Sequence, residues 1–470
     1  MPHRLPLSDV VASLSHALDL TEGQPQGHSI RSCLIGMHVG REVGLDSDAL
    51  SHLYYALLLK DAGCSANAAP LAAAFGSDDQ VVKRAFKTTD WSNYLSAATW
   101  VARQAARGGT PWQKLRHVVG MARGGGEQAR GFMRIRCERG ANIVRELGFP
   151  EPTAEAIRAL DEHWDGKGHP LGLREEEIPL LARIAGIAQT TEVFLQSAGV
   201  GATVEMLLER RGTWFEPRLV DVLLDQAGNL AFWRRVAGAH RPSALSGQEP
   251  AEHVHWVETD DLDRVAGAFA DIIDAKTPYT YRHSKGVAEI ASRLAARLGC
   301  SEPDIVQVNR AGLLHDIGKL GISNRILDKP GRLTDAEYAE VQLHPRYSME
   351  ILGHVAAFAD LAPAAAHHHE RLDGTGYPWG LAGNQLDLPS RIVAVADVYE
   401  ALTADRPYRE GMSPRKALGI IVDDAGSAFD PDVVLALEGW VRERAVGSVP
   451  DPGVRAERRE LVGAGARRTA

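Results

Sequence analysis

The second half of the chain shows apolar residues at helical spacing. Between positions 283 and 298, Val287, Ile290, Leu294 and Leu298 recur every three or four residues, as on one face of a helix. The string Ser301-Glu302-Pro303-Asp304 combines a capping residue, an early proline and an acidic residue, which is typical of a helix start. No segment shows a convincing two-residue alternation typical of strands. The pattern predicts an all-α protein.

The sequence also contains an internal repeat. LDEHWDGKGHPLGL (160–173) resembles HHERLDGTGYPWGL (368–381), a shift of 208 positions, and LLKDAGC (58–64) resembles LLHDIGK (313–319), a shift of 255. The difference, 255 − 208 = 47, gives the first copy about 47 extra residues. They fall at about 85–135, in a stretch rich in Lys and Arg. We therefore expect a tandem duplication of one helical unit.

These observations divide the chain into four regions. We expect a first unit at 1–238 with its basic insertion at about 85–135, a linker at 239–258, a second unit at 259–445, and a flexible tail at 446–470. The linker and tail assignments rest on their polar, Gly- and Pro-containing composition.

Composition narrows the class of protein. The 470 residues are 44% hydrophobic and 24% charged, which is typical of a globular protein. A net charge of −9 disfavours nucleic acid as a partner of the whole chain. The four cysteines form no CxxC pair, the start lacks a signal-peptide core, and no run approaches the ~20 apolar residues of a membrane span. We expect a cytoplasmic protein without membrane insertion.

Several polar residues of the second unit occupy positions where a helix should bury apolar ones. His283 extends the stripe of Val287, and His315 lies on the inward face of the next helix beside Asp316. A single inward histidine is more often a hydrogen-bonded core residue than a metal ligand. A larger set is harder to attribute to chance, and imidazoles combined with carboxylates suit divalent transition metals. The other members of the set are His344, His368, His369 and Asp397.

Three strings in this region resemble a known family. His315-Asp316-Ile317-Gly318-Lys319, then His344-Pro345, then His368-His369-Glu370 followed by Asp373-Gly374-x-Gly376-Tyr377-Pro378 resemble the HD-GYP subgroup of the HD-superfamily phosphohydrolases. The resemblance covers about residues 260–440. It implies two tandem all-helical HD bundles, the first degenerate, and a metal-dependent phosphodiesterase that cleaves cyclic di-GMP to linear pGpG and in some members to GMP.

The resemblance also implies roles for individual residues. Asp316 would bridge two metals, one also bound by His283, His315 and Asp397, the other by His344, His368 and His369. Lys319 would face the phosphate or assist proton transfer, and Arg406 and Arg409 would hold substrate phosphates. Some members use a third metal with a glutamate four residues before the first histidine, but this chain has Tyr279 there. We therefore expect two divalent metals, with iron or manganese as the leading candidates.

Two metals suit the chemistry of a phosphodiester. Placed roughly 3.5–4 Å apart, they can bridge and deprotonate a water, polarise the phosphoryl oxygens and stabilise the leaving oxygen. In the motif loop, Gly374 and Gly376 permit tight backbone turns and Pro378 stiffens them. The first copy keeps both glycines and the proline, so this loop alone does not imply catalysis.

The first copy has lost most of the predicted ligands. It retains His28 and Asp61, but Lys60 replaces His315, Cys64 replaces Lys319, Leu160-Asp161 replaces the histidine pair, and Gln189 replaces Asp397. Cys137 is matched with His344 if a one-residue gap is allowed. We expect no dinuclear centre there, and a packing or dimerising role is favoured over small-molecule sensing. A homodimer and a signalling protein are thus candidate partners besides the cyclic dinucleotide substrate.

Two other functional hypotheses stay open from sequence. The protein could be a non-catalytic cyclic di-GMP receptor or signalling adaptor, although such a protein has no need of a bridging carboxylate and five histidines. It could also be a phosphohydrolase of another cyclic nucleotide, because residues that hold phosphates do not read bases.

Overall fold

A computed structural model describes residues 5–75, 78–88, 130–280, 282–406 and 409–447. Within these ranges the chain forms α-helices and short 3-10 turns, and its few β-bridges are isolated, so no sheet is formed there. The all-α prediction is confirmed. Most of the predicted basic insertion and nearly all of the predicted tail lie outside the described residues.

The described helices are numbered in chain order. Those of the first unit are α1 (Leu7–Thr21), α2 (His28–Glu42), α3 (Ser47–Leu59), α4 (Ala68–Phe75), α5 (Asp79–Thr88), α6 (130–146), α7 (Glu151–Arg158), α8 (Leu180–Arg210), α9 (Pro217–Leu224) and α10 (Leu230–Gly238). Those of the second unit are α11 (Thr259–Asp274), α12 (His283–Arg297), α13 (Glu302–Leu314), α14 (Asn324–Leu327), α15 (Asp335–Val341), α16 (His344–Gly353), α17 (Ala362–Ala366), α18 (Leu388–Thr403), α19 (Pro414–Asp423) and α20 (Pro431–Gly447).

Local sequence signals determine where the helices of the second unit begin. Ser301 caps α13 by accepting a hydrogen bond from the Asp304 amide at 3.4 Å, as the sequence predicts. Asp387 caps α18 in the same way, accepting from the Ser390 amide at 2.9 Å. α13 ends at Leu314, and a 3-10 turn over Ile317–Gly321 follows directly. These boundaries place His315 and Asp316 between two tightly wound segments.

The two units share local interactions at equivalent positions. Asp19 at the end of α1 accepts hydrogen bonds from the amide and hydroxyl of Ser29 at 3.0 and 2.8 Å. Asp274 at the end of α11 accepts from the same two groups of Ser284, at 3.2 and 2.7 Å. Asp274 and Ser284 lie 255 positions after Asp19 and Ser29, which is the shift found in the sequence. The carboxylate therefore joins the first two helices of each unit in the same manner.

One segment is longer in the second unit. Helix α8 continues through a non-helical Gly199 to Arg210, whereas α18 and α19 are separated by a loop after Thr403. Gly212 and Gly426 follow at equivalent turns with φ of 74° and 83°, so the shift has grown from 208 to 214. The six additional residues belong to the loop that carries Arg406 and Arg409. The first unit is therefore six residues shorter here, and helix α8 continues where the second unit has this loop.

The predicted linker packs against the first unit. The Leu7 amide donates to the His255 carbonyl at 2.8 Å, and the Val257 amide donates to the Leu5 carbonyl at 2.9 Å. Tyr55 also donates its hydroxyl hydrogen to Glu249 at 2.6 Å. A continuous hydrophobic core includes buried residues of both units, and α1 packs against the Ile317–Gly321 turn. In the described part of the chain, no helix combines the length and apolar character needed to cross a membrane.

Candidate metal centre

The predicted ligands converge from five segments of the second unit. α12 begins with His283, α13 ends next to His315, and α16 begins with His344. His368 and His369 follow α17, and Asp397 lies within α18. Helix ends that meet in the core thus bring together residues more than a hundred positions apart in sequence.

Asp316 lies between two groups of imidazoles. Its Oδ2 atom is 3.3 Å from His315 Nε2 and 3.8 Å from His283 Nε2. Its Oδ1 atom is 3.4 Å from His344 Nε2 and 3.7 Å from His368 Nε2. The two oxygens of one buried carboxylate therefore face different histidines.

Two groups of side chains around Asp316 could each hold a metal ion. His283, His315 and Asp397 form one group, and His344, His368 and His369 form the other. The Asp397 Oδ1 atom lies 3.2 Å from His283 Nε2 and 3.8 Å from His315 Nε2. These groups coincide with the two ligand sets that the sequence predicts on either side of Asp316.

Backbone carbonyls orient three of the imidazoles. The Nδ1 atoms of His315, His344 and His368 lie 2.8, 2.7 and 2.6 Å from the carbonyl oxygens three residues earlier in the chain. A carbonyl only accepts hydrogen bonds, so Nδ1 must carry the proton in each ring. The Nε2 atom of each ring then faces the centre. This is the ring orientation in which a neutral imidazole binds a metal through Nε2.

His283 is oriented by a carboxylate that the sequence analysis missed. Its Nδ1 atom shares a short hydrogen bond with Glu400 Oε2, and Arg406 donates to the same Glu400 oxygen at 3.2 Å. Glu400 lies one helical turn after Asp397 in α18. The internal repeat offered a signal for Glu400, because Glu192 stands 208 positions earlier and both copies thus have a glutamate at this position. The Asp397 position, by contrast, has become Gln189 in the first copy.

Asp316, His368 and His369 have protonation states that suit metal binding. Burial raises the pKa of Asp316, but the nearby cationic Lys319 and the His315 imidazole outweigh it and hold the pKa well below its usual value. Burial lowers the pKa of His368 strongly and that of His369 to about 3. An ionised carboxylate and neutral imidazoles are the forms that bind divalent metals.

Two further observations indicate a place for a cation. His315 Nε2 and Asp316 Oδ1 are buried and have no hydrogen-bond partner. Burial lowers the pKa of His283, but Asp397 and Glu400 outweigh it and raise that pKa to about 10. The carboxylates therefore produce a negative potential at this side of the centre. The donor atoms of the two groups and the unpartnered His315 Nε2 and Asp316 Oδ1 atoms fit a metal.

The predicted cationic residues lie at the edge of the centre. Lys319 Nζ donates to Asp316 Oδ2 at 2.5 Å, and its side chain is 22% exposed. Arg406 donates to the Tyr279 carbonyl as well as to Glu400, and Arg409 donates to the Ala401 carbonyl at 2.8 Å. Lys319 is therefore directly at the centre, whereas both arginines are engaged by groups of the protein.

The motif loop is organised by Glu370. Its carboxylate accepts hydrogen bonds from the Trp379 and Leu381 amides at 2.8 and 2.9 Å, while Asp373 accepts from the Thr375 amide at 2.9 Å. Gly376 is required because a Cβ atom there would lie 2.5 Å from the Arg371 nitrogen. The loop brings the Tyr377 ring onto His369, with 4.7 Å between the ring centroids.

The register of the first unit corrects one sequence expectation. A Cβ atom on Gly318 would lie 1.9 Å from the His344 carbonyl oxygen, and a Cβ atom on Gly63 would lie 1.9 Å from that of Arg136. Arg136 therefore occupies the position of His344, at the uninterrupted 208-residue shift, and the match of His344 with Cys137 was wrong. No gap is needed, because α6 and α16 keep the same register against the turn that contains the glycine.

Cations of the first unit neutralise the remaining carboxylates. Lys60 forms a short ion pair with Asp61, and Arg136 contacts the other Asp61 oxygen at 3.2 Å. The Arg136 guanidinium also donates to Cys64 Sγ at 2.9 Å and pairs with Asp161. Glu22, Asp61 and Cys64 lie close enough together to form a metal-binding group, but Lys60 and Arg136 already pair with its carboxylate Asp61.

Comparisons with known proteins agree with this arrangement. The family described as HD domain matches residues 126–219 and 267–433, more than half of the chain. A 3'3'-cGAMP-specific phosphodiesterase 3 of Vibrio cholerae is 40% identical over 446 residues, which cover 95% of this chain and 96% of the relative. The chain belongs to the HD-GYP subgroup of the HD-domain phosphohydrolases. The family and the enzyme class expected from sequence are therefore confirmed.

Relatives of this HD-GYP protein include solved and curated examples. The crystal structure of the cyclic GMP-AMP specific phosphodiesterase V-cGAP3 of V. cholerae matches it with a TM-score of 0.63 and 35% identity, covering 93% of this chain and 98% of that structure. A cyclic di-GMP phosphodiesterase of Pseudomonas aeruginosa is 40% identical over 190 residues, 40% of this chain and 44% of the relative. HD-domain phosphohydrolases are metal-dependent, which agrees with the ligand groups described above.

Proposed function

We propose that the second unit is a divalent-metal-dependent phosphodiesterase that opens a cyclic dinucleotide by hydrolysis. The position of Asp316 carries the proposal, because its two carboxylate oxygens face two different groups of imidazoles. A single carboxylate placed in this way is suited to bridging a metal pair. Linear pGpG is the expected product from cyclic di-GMP, with GMP as a further product.

The residues that would hold the two metals are those predicted from sequence. His283, His315 and Asp397 would bind one metal, His344, His368 and His369 the other, and Asp316 both. Imidazole nitrogen and carboxylate oxygen suit iron or manganese among the available divalent ions. When bound, such a metal pair supplies Lewis-acid activation of water and withdraws charge from the phosphoryl oxygens.

The protein's own side chains position and neutralise the substrate. Lys319 holds Asp316 through its hydrogen bond and is partly exposed, so its ammonium group is placed to contact a phosphate oxygen or to deliver a proton to the leaving oxygen. Arg406 and Arg409 are proposed to add positive charge for the second phosphate. For Arg406 this requires exchange of its present partners, Glu400 and the Tyr279 carbonyl.

Two cyclic dinucleotides are candidate substrates. Cyclic di-GMP is the substrate named for the relative from P. aeruginosa, which matches 40% of this chain. The relative from V. cholerae that matches 95% of the chain is named as specific for 3'3'-cGAMP, and this observation favours 3'3'-cGAMP as the second candidate. Both compounds contain two purines in a ring closed by two phosphodiesters, so one metal centre can act on either.

A product assay tests the proposal. The full chain, purified with iron or with manganese, is offered cyclic di-GMP, 3'3'-cGAMP and cyclic di-AMP, and the products are separated by chromatography. We expect linear dinucleotides from at least one of the first two compounds, with kcat/KM identifying the preferred one. Intact cyclic dinucleotides with every metal would contradict the proposal. Tight binding without product would instead support the receptor hypothesis. A homodimer and a signalling protein partner stay predictions.

A further inference from the structure

Two exposed aromatic side chains flank the motif loop beside the metal centre. Tyr338 in α15 is 49% exposed, and Trp379 in the loop is 38% exposed. Exposed aromatic residues are common when they occur singly on a protein surface. Tyr338 differs from isolated examples because ring contacts connect it to the proposed ligand His369. Trp379 differs because its ring contacts His367, which directly precedes the proposed ligand His368.

Tyr338 is the outer end of a series of aromatic rings. The Tyr377 ring stacks on His369, with 4.7 Å between centroids and 30° between planes. The Tyr338 ring meets Tyr377 edge to face, at 6.4 Å and 71°. The series therefore runs from a proposed metal ligand to the solvent-exposed face of Tyr338.

The short helix α15 that carries Tyr338 is held in place. Thr334 and Glu337 form a reciprocal capping box, in which the Glu337 carboxylate accepts from the Thr334 amide at 2.8 Å and Thr334 Oγ1 accepts from the Glu337 amide at 3.3 Å. Lys329 pairs with the same Glu337 carboxylate at 2.5 Å. Tyr338 thus presents its ring from a fixed position, which lowers the entropic cost of binding a flat ligand.

Trp379 is fixed from several sides. Its backbone amide donates to Glu370, and His367 meets its ring edge to face at 5.3 Å. The Arg346 guanidinium lies 5.8 Å from the ring centroid and donates to the Pro378 carbonyl at 3.1 Å. Trp379 is therefore a supported aromatic surface with a cation next to it.

The first unit keeps the loop but not these side chains. Glu162 takes the role of Glu370, accepting hydrogen bonds from the Leu171, Gly172 and Leu173 amides. At the 208-residue shift, however, Arg346 corresponds to Glu138, Tyr377 to His169 and Trp379 to Leu171. The aromatic and basic side chains are thus absent from the unit that has lost its metal ligands, while the scaffold of the loop is retained. These side chains therefore occur together with the proposed metal ligands and are not needed to maintain the fold of the loop.

We infer that Tyr338 and Trp379 are base-binding residues, on which the two purines of the cyclic dinucleotide stack while one of its phosphates lies at the metal centre. This inference rests on the proposed function and adds to it the groups that recognise the bases. Every purine has a π face that stacks on an aromatic side chain, and a neighbouring guanidinium strengthens such binding. The inference also explains why rings of this size stay exposed beside the loop.

Kinetics of three variants with a matched control test the inference. Tyr338→Ala and Trp379→Ala are expected to raise KM for the cyclic dinucleotide roughly tenfold each, the size of one lost stacking contact, with little change in kcat. Tyr338→Phe, which keeps the ring, is expected to restore the wild-type KM. Trp256→Ala removes a ring of similar exposure, 46%, from the linker region and is expected to change neither parameter.

A spectroscopic readout separates stacking from a structural role. A cyclic dinucleotide that carries 2-aminopurine should lose fluorescence on binding to the wild type and regain part of it in the Ala variants, all of which should keep the wild-type metal content. Unchanged KM and quenching in both Ala variants would overturn the inference, as would an equal loss of kcat and bound metal. If the wild type hydrolyses no cyclic dinucleotide, the proposed function fails, and the dissociation constants of the same variants still decide whether the rings bind bases.

Discussion

The Nδ1 atom of His283 shares a short hydrogen bond with the Glu400 carboxylate, and Glu192 holds the same position beside His28 in the first unit. The pair is therefore part of the scaffold common to both units. In both units the opposite nitrogen of the ring faces the equivalent aspartate, Asp316 at 3.8 Å and Asp61 at 3.7 Å. In the second unit it also faces Asp397 at 3.2 Å, at the position where the first unit has Gln189. The hydrogen bond between His283 and Glu400 therefore joins two helices of the second unit and also orients a proposed metal ligand.

Replacement of Glu400 should weaken metal binding. Glu400→Gln keeps the size of the side chain but removes the charge that orients and polarises His283, so metal affinity should fall about 10- to 100-fold. Titration of the chelator-treated protein with manganese measures this change. Glu192→Gln is the matched control in the first unit and should leave metal affinity unchanged. Equal affinities of the wild type and Glu400→Gln would show that Glu400 has no influence on the centre.

The charge of Arg136 should stabilise the first unit without any metal. Arg136→Met leaves Asp61 and Asp161 without the guanidinium that contacts both. Removing one partner from such a buried cluster costs about 3–5 kcal/mol. The variant should therefore unfold at a lower temperature, in chelator and in manganese alike, while it binds as much metal as the wild type. Restoration of its stability by manganese, or a loss of bound metal, would refute this role.

The helical class could be predicted from the sequence and is confirmed, and the sequence was also sufficient to propose the candidate ligands. The three- and four-residue spacing around Val287 and Leu294 follows from burial of one helix face, so the helix could be predicted from local pattern alone. His315, Asp316 and the histidine pair at 368–369 belong to long motif strings, and the structure brings them together. Both predictions depend on residues that are near one another in sequence or on a specific motif.

Other features depended on contacts between distant segments. Apart from its counterpart Glu192 in the first copy, Glu400 is an ordinary helical acid in the sequence, and its contact with His283 shows its place at the centre. Cys137 looked like the better replacement for His344 because it resembles a ligand chemically, whereas packing of Gly63 against Arg136 determines the actual register. The linker likewise gave no signal of its contacts with Leu5 and Leu7, since composition does not show what a loop packs against.

The buried Lys276 should make stability depend on alkaline pH. Its ammonium group lies 3.7 Å from Asp79, and burial lowers its pKa to about 8 although Asp79 opposes the shift. Between the folded pKa and the ordinary value of 10.5, the unfolded chain binds a proton that the folded chain has released, so stability rises with pH across this window. Below about pH 8 both states are protonated and the gain is absent.

Lys276→Met provides the comparison. The difference in unfolding free energy between the wild type and Lys276→Met should shift in favour of the wild type, by up to about 3 kcal/mol, between roughly pH 7.5 and 10.5. Denaturant unfolding at a series of pH values measures it. Parallel stability curves for the two proteins would mean that Lys276 does not titrate in this range.

The metal content of Asp316→Asn tests the central claim most directly. Because each oxygen of Asp316 faces a different group of ligands, loss of its charge should remove both metal ions, and turnover of cyclic dinucleotide with them. Elemental analysis of the purified full chain should find two metal ions in the wild type and in the control Asp61→Asn, which changes the equivalent carboxylate of the first unit. The account predicts almost no bound metal in Asp316→Asn; an undiminished metal content with wild-type turnover would contradict it.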